Sequence, residues 1–285
     1  MARSDRGPVL AGWLRVVSFF GGKTGWPLKR LVMQVVLGAA FLAAWQYLPT
    51  VPWLSEHLTL FNRFYISSPS VVWSEVVAVG TGGANGVRVW PYLWTTVEAA
   101  VAGSAIGLIL GALFGLIFSN SRKLSQVVRP YIVLANSVPR VALIPIFVLL
   151  LGPSTGAEIA AVIAVVFFLG FFNAFEGGCR IPRPILENAL LLGAGPLEVM
   201  RFIRLPQVVT WTFATIPNAI AFGLVTAVTT ELLAGIQGMG ALLLTSTSNV
   251  EASLTFTVIV YLSVTGLLLY SGAVLLRRSV IRWEV

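Results

Sequence analysis

Few side chains in this 285-residue sequence can do acid–base, nucleophilic or metal chemistry, and those few stand apart. His57 is the only histidine and Cys179 the only cysteine. Neither a multi-histidine nor a multi-cysteine metal cluster can form within one chain, no internal disulfide is possible, and no Ser-His triad assembles around His57. Gly22-Lys23-Thr24 imitates the end of a phosphate-binding P-loop, but Val17 occupies the place of its first glycine and no buried strand precedes it. Gly193-Ala194-Gly195 opens a dinucleotide fingerprint that Glu198 breaks at the third glycine. What remains is mechanical and electrostatic: a polar-studded stretch from Glu187 to Pro206, and isolated polar residues inside apolar runs, namely Glu98, Arg140, Asn218, Thr226, Thr229, Thr230 and Glu231. The chain is therefore expected to hydrolyse nothing itself.

The Glu187–Pro206 stretch reads as two short helices at an angle. Pro184 suits a first helical position, where its absent N–H is unpaired anyway, and Glu187 is placed in that first turn, facing the positive end of the helix dipole. Gly193 can take the left-handed conformation that closes a helix, Pro196 can open the next one, and Pro206 is expected to stop it. Along the second helix Leu197, Met200, Arg201 and Arg204 recur at helical spacing, giving a greasy, basic face toward water. Such a face fits a groove on a protein partner; the alternative is a helix lying on lipid headgroups.

The elements that carry these residues must cross a membrane. With 57% hydrophobic residues, 11% charged and a mean hydropathy of +0.88, the chain departs from soluble domains, which carry about a quarter charged residues. A crossing needs about twenty apolar residues, and in lipid an open strand cannot satisfy its backbone groups. Six stretches qualify: 31–49, 92–118, 130–151, 157–175, 210–232 and 253–276. The expected fold is all-α, an integral membrane protein of six transmembrane helices, with a cytoplasmic N-terminal segment over 1–30, a membrane domain over 31–285 and a loop at 183–206.

Basic residues set the orientation, since they favour the cytoplasmic side of short loops. They crowd before span one (Arg3, Arg6, Arg15, Lys23, Lys29, Arg30), after span two (Arg122, Lys123, Arg129), after span four (Arg180, Arg183, Arg201, Arg204) and after span six (Arg277, Arg278, Arg282). Both termini and the 183–206 loop are expected in the cytoplasm. The net charge of +8 has the same origin and reads as topology plus attraction to anionic lipid, not as a nucleic-acid footprint. Val9–Phe20 is interrupted by Arg15 and lacks a small-residue cleavage site, so no cleaved signal is expected; Leu10, Leu14, Val17 and Phe20 can line an interfacial helix.

Span two carries Gly103, Gly107, Gly111 and Gly115 at every fourth residue, with Ala99 continuing the row. A bare face of this kind marks close helix packing, here expected within the subunit. Between spans one and two, Ser68-Pro69 signals the start of a short amphipathic helix through Val71, Val72, Trp73 and Glu75, and Gly80, Gly82, Gly83 and Gly86 form a link. In span three, Pro139 and Pro145 interrupt the backbone ladder around Arg140, as happens where backbone borders a cavity. Arg140 can serve a substrate path, or it can snorkel to the surface. Asn218 and Thr226 stand about two turns apart and can share a pore-facing side, or the threonine can bond back to its own helix.

Glu187, Ala189, Gly193, Ile203, Leu205 and Pro206 fall in register with the EAA loop of binding-protein-dependent ABC importer permeases, with Asn188 departing from the pattern. The resemblance covers about residues 67–250. Pro139-Arg140-Val141-Ala142-Leu143-Ile144-Pro145 resembles the family's Pro-basic-x-Ala-x-x-Pro signature. The Ser-Pro-Ser element at 68–70, followed by Thr95 or Thr96, is similar to the taurine, sulfonate, nitrate and bicarbonate branch. Glu231 resembles the glutamate that branch places before its Gly-Leu-Gly turn, here Gly238-Met239-Gly240, as a cap or alternatively as a ligand. The resemblance implies a type I ABC importer permease fold and a prokaryotic inner membrane location. It implies a pore formed with a second permease subunit, favoured as a homodimer, one cytoplasmic ABC ATPase on each EAA loop, and an external solute-binding protein delivering a small anion. ATP and magnesium would be bound by the ATPase partner and no cofactor by this chain. The alternative is an ion-gradient-driven secondary transporter, which would usually show duplicated halves; spans one to three find no echo in four to six.

Overall fold

A computed structural model describes residues 26–51, 63–82 and 87–280. The interfacial helix expected on Leu10–Phe20, the Gly22–Thr24 stretch, His57, Gly83, Gly86 and Arg282 lie outside the described residues. Chain contacts divide the molecule into two units, Met1–Val71 and Val72–Val285.

In the first unit α1 (Trp26–Tyr47) is apolar, with residues 29–43 exposed. A 3₁₀ turn (Leu48–Thr50) closes it. Gln46 then bonds Ser70 twice, its Oε1 accepting from the Ser70 N–H at 3.2 Å and its Nε2 donating to Ser70 Oγ at 3.2 Å. The Ser-Pro-Ser element is thus fastened to the end of α1, and α2 (Pro69–Thr81) starts at Pro69 as its sequence predicts.

The second unit is built on three long helices: α3 (Val89–Ser119), α6 (Thr155–Cys179) and α9 (Leu205–Ala234). The glycine row of α3 is buried against α6 of the same chain. A Cβ on Gly103 would stand 2.6 Å from Val162 Cβ, one on Gly107 2.9 Å from the Ile163 carbonyl, and one on Gly115 2.6 Å from Ala174 Cβ; at Gly111 it would run into the Phe167 carbonyl. Ala99, Ala100, Val162, Val166, Ala219 and Ala227 fill the space where the three helices meet, so the core is made of small side chains that let backbones approach. Gly111→Val is expected to pry α3 from α6 at a cost of about 1–3 kcal/mol. A melting curve of the purified variant checks this, and an unchanged melt would mean that the row is not packed.

Around this core lie α4 (Arg122–Asn136), α5 (Ile144–Leu151), α10 (Met239–Ser248) and α11 (Ala252–Val280). Val79, Val89, Met239, Leu242, Leu254 and Val258 form a second cluster that joins α2, α3, α10 and α11. Tyr261 Oη donates to the Val76 carbonyl at 2.9 Å, and Trp90 Nε1 to the Gly80 carbonyl at 2.9 Å.

Among the described residues five helices are long and apolar enough to cross a membrane, and six if one bent pair counts as a span. That pair lies over 130–151, where the two prolines are expected to interrupt the backbone ladder. Lys123–Ala135 and Arg140–Leu151 meet at 79°, because Pro139 is extended (ψ 104°) and Arg140–Leu143 form a separate 3₁₀ turn. The residue before a proline is pushed out of the helical region and the proline offers no N–H, so the ladder stops at 137–139 and restarts.

Candidate coupling site

The 183–206 segment folds into a capped knob. Helix α7 (Arg183–Leu191) begins with Pro184 in its first two positions and ends in a Schellman motif: the Ala194 N–H donates to the Ala189 carbonyl at 2.9 Å and the Gly193 N–H to the Leu190 carbonyl at 3.0 Å. Gly193 takes φ +84°, the left-handed conformation this motif requires. A Cβ at Gly193 would meet nothing within 4 Å, so backbone conformation is the reason for glycine there. A new helix α8 (Pro196–Val199) follows at once. Glu198 reaches back so that its Oε2 accepts from the Gly195 N–H at 2.8 Å, which fixes the angle between the two helices.

Two helical expectations are corrected. Glu187 is the fifth residue of α7, one past the first turn, because the helix starts at Arg183. Pro206 does not stop the second helix either. Residues Met200–Arg204 form a π turn in which the Leu205 N–H bonds back to the Met200 carbonyl, and the chain then continues as α9 with Pro206 in its first two positions. Within an α-helix the Pro206 ring would clash with the carbonyl four residues earlier, and the wider π turn supplies the room. As a result Pro196–Ala234 is a single 39-residue helical run from the knob through the core.

The knob presents apolar side chains to solvent. Leu191 is 85% exposed, Leu192 88% and Leu197 79%, with Leu190 and Phe202 also exposed. Among the residues singled out in sequence, Glu187, Gly193, Leu205 and Pro206 are exposed, while Ala189 and Ile203 are half-buried. The most exposed leucines, Leu191 and Leu192, escaped sequence reasoning because a run of three leucines beside a span looks like ordinary membrane sequence; only the Gly193 cap turns them outward. Arg204 departs from the expected outward basic face. It is half-buried, and its Nη1 donates to the carbonyl of Ser119, the last residue of α3. Nearby, Glu176 near the end of α6 pairs with Arg180 at 3.1 Å and Arg129 at 3.5 Å, and the Arg180 guanidinium lies 5.4 Å from the Trp211 ring centre. The C-terminal ends of α3 and α6 and the N-terminal end of α9 thus lie together at the arginine-rich end of the bundle.

The four candidates for a substrate path differ in exposure. Arg140 is half-buried with its guanidinium 5.7 Å from the Phe168 ring centre. Asn218 is exposed, but Thr226 is buried and donates to its own helix at the Phe222 carbonyl (2.8 Å), so these two do not line one open side. Glu231 is fully enclosed, accepting from Thr96 Oγ1 and from the Gly240 N–H, both at 2.6 Å. Its carboxylate thus reaches the backbone of the Gly238–Gly240 turn. Among the described residues no group of three or more His, Cys, Asp or Glu side chains is arranged to hold a metal ion.

Long apolar helices around a small-residue core, with a rigid helix–turn–helix protruding from one end, define a polytopic membrane permease subunit. The chain belongs to the family of binding-protein-dependent transport system inner membrane components, whose model matches residues 103–282. Its relatives are transport permeases, not enzymes. It is 26% identical over 259 residues to the riboflavin transport system permease protein RibX of Chloroflexus aurantiacus, covering 91% of each chain. To the taurine transport system permease protein TauC of Escherichia coli it is 25% identical, over 92% of this chain and 94% of that one. A chain of the MetNI methionine ABC transporter in its inward-facing form superposes with a TM-score of 0.59 at 17% identity, over 67% of this chain and 95% of the other, so the type I importer permease fold is shared.

Proposed function

We propose that this chain is one of two identical permease subunits of an ATP-driven importer, that its α7–α8 knob docks on a cytoplasmic ABC ATPase, and that it conducts a small anion delivered by an external binding protein. The observation that carries this is the knob itself: three leucines at 79–88% exposure on a segment whose caps leave it little freedom. A soluble-facing apolar surface of this kind calls for a protein partner. Both termini and the knob are cytoplasmic in this reading, with the arginine-rich end of the bundle inward. ATP and magnesium belong to the ATPase.

The mechanism follows from the continuity of the helix. When ATP draws two ATPases together, each docked knob moves as one body, because the Schellman motif and the Glu198 cap hold its halves at a fixed angle. The Pro196–Ala234 run carries that motion into the core, and the Arg204–Ser119 bond carries it sideways to α3. Hydrolysis resets the pair. An anionic cargo is supported by the likeness to taurine and aliphatic sulfonate permeases and by Arg140 at the break of the bent pair.

Purified complex tests this reading: vanadate-sensitive ATP hydrolysis should rise when the binding protein is added, whereas transport by this chain alone under a proton or sodium gradient would make it a secondary carrier. Gly193→Asp and Glu187→Lys should both abolish uptake while the protein still inserts. Aspartate at φ +84° costs about 1–2 kcal/mol and places a charge on the docking face, and normal uptake in both variants would remove the coupling role.

A further inference from the structure

At the other end of α9 from Arg204, two carboxylates face each other. The Glu231 oxygens are both engaged, by Thr96 Oγ1 and by the Gly240 N–H, and Thr96 Oγ1 also accepts from the Met239 N–H at 2.9 Å. One carboxylate and one hydroxyl thereby fasten the start of α10 to α3 and α9. Glu158, in the first turn of α6, is as fully enclosed as Glu231, and among the described residues no N–H or O–H reaches either of its oxygens. Its neighbour is the Glu231 carboxylate, and Glu98 on α3 adds a further acidic group close by. The salt bridges of the described residues join Glu176 to Arg129 and Arg180, and none involves Glu158 or Glu231.

Two adjoining negative charges closed off from water and without a cation cost several kcal/mol per ion, and one proton held between them removes the conflict, as in carboxylate dyads. Geometry says which residue holds it. The Glu231 oxygens already accept from two donors, while those of Glu158 meet none, so an O–H on Glu158 directed at Glu231 satisfies both side chains at once. A buried carboxyl with no donor is otherwise one of the costliest groups a core can contain.

We propose that Glu158 is a positioning residue that donates a proton-bearing hydrogen bond to Glu231, the pair holding the Gly235–Gly240 turn and the start of α10 against the bundle. The inference depends on neither the cargo nor ATPase docking, so it stands or falls separately from the function proposed above. The test uses the full-length permease, purified. In Glu158→Gln the amide N–H donates where the acid O–H did, and its melting temperature should stay within about 2 °C of wild type. Glu158→Leu removes the donor and Glu231→Leu removes the acceptor, and each should melt about 5 °C or more lower. Infrared spectra add a readout that packing alone does not move: wild type should show a protonated-carboxyl C=O band that vanishes in Glu158→Gln and persists in Glu98→Gln. If Glu158→Gln melts as low as Glu158→Leu, or if the band is absent from wild type and sodium or potassium raises its melting temperature, a bound cation and not a proton joins the pair and the proposal fails. Survival of the band in Glu158→Gln, or a wild-type melt for Glu231→Leu, would overturn it equally.

Discussion

Changing Leu191 and Leu192 together to glutamate is expected to detach the ATPase and stop transport while leaving the membrane domain folded. Both side chains are at least 85% exposed in the isolated chain and touch no core, so their loss costs the permease little. In the docked complex each would be buried, a gain of about 1.5–3 kcal/mol per leucine, so the pair accounts for about 3–6 kcal/mol of docking. At 1.4 kcal/mol per tenfold, ATPase affinity falls by about 10²–10⁴, before any cost of burying the new carboxylates. The check is co-isolation of the ATPase with the permease from membranes, alongside solute uptake. Retention of both would mean that the leucines face lipid headgroups.

The second large effect is expected at Arg204, and it differs in kind. Its guanidinium bonds the last carbonyl of α3, where the helix dipole favours a cation. Arg204→Glu sets a negative charge against that carbonyl and breaks the link between the knob and α3, yet changes nothing on the exposed leucines. A hydrogen bond to a charged group contributes about 1.5–3 kcal/mol, so uptake should drop roughly ten- to a hundredfold while ATP hydrolysis continues. Arg204→Lys should retain part of the activity, since a cation remains at the helix end. Uptake and hydrolysis lost together would place Arg204 in the docking surface itself, and unchanged uptake would mean that α3 is moved by α9 packing alone.

Much of the fold was legible because its signals are periodic. The row of glycines in α3 needs only helical geometry to become a packing face, and the structure lays it on α6 of the same chain. The knob was legible in outline from Pro184, Gly193 and Pro196, whose backbone limits are local. Sequence misled where the neighbourhood decides. Pro206 reads as a stop, but a π turn makes room for it and converts a boundary into a continuous lever. Pro139 and Pro145 read as a break in the ladder of one crossing, but the 79° between the two pieces that extended Pro139 separates was not legible in them. Arg204 reads as surface charge, because nothing local says that α3 ends beside it. Glu158 carries no local signal, since an acid in the first turn after a Ser154 cap is what any helix favours; only tertiary folding sets it against Glu231, 73 positions later in the numbering. Of the path candidates, Thr226 and Glu231 look polar and available in sequence and prove to be buried.

The central claim is that the α7–α8 knob transmits ATPase motion into the bundle, and contact is its most direct consequence. A photo-crosslinking residue at position 192, in the assembled transporter in native membranes, should yield a covalent adduct with the ATPase subunit. The same probe at position 149, on an 84% exposed leucine beside the far end of α9, should yield none. An adduct from position 149 but not 192, or reaction of position 192 with a membrane-impermeant reagent added outside intact cells, would contradict the account.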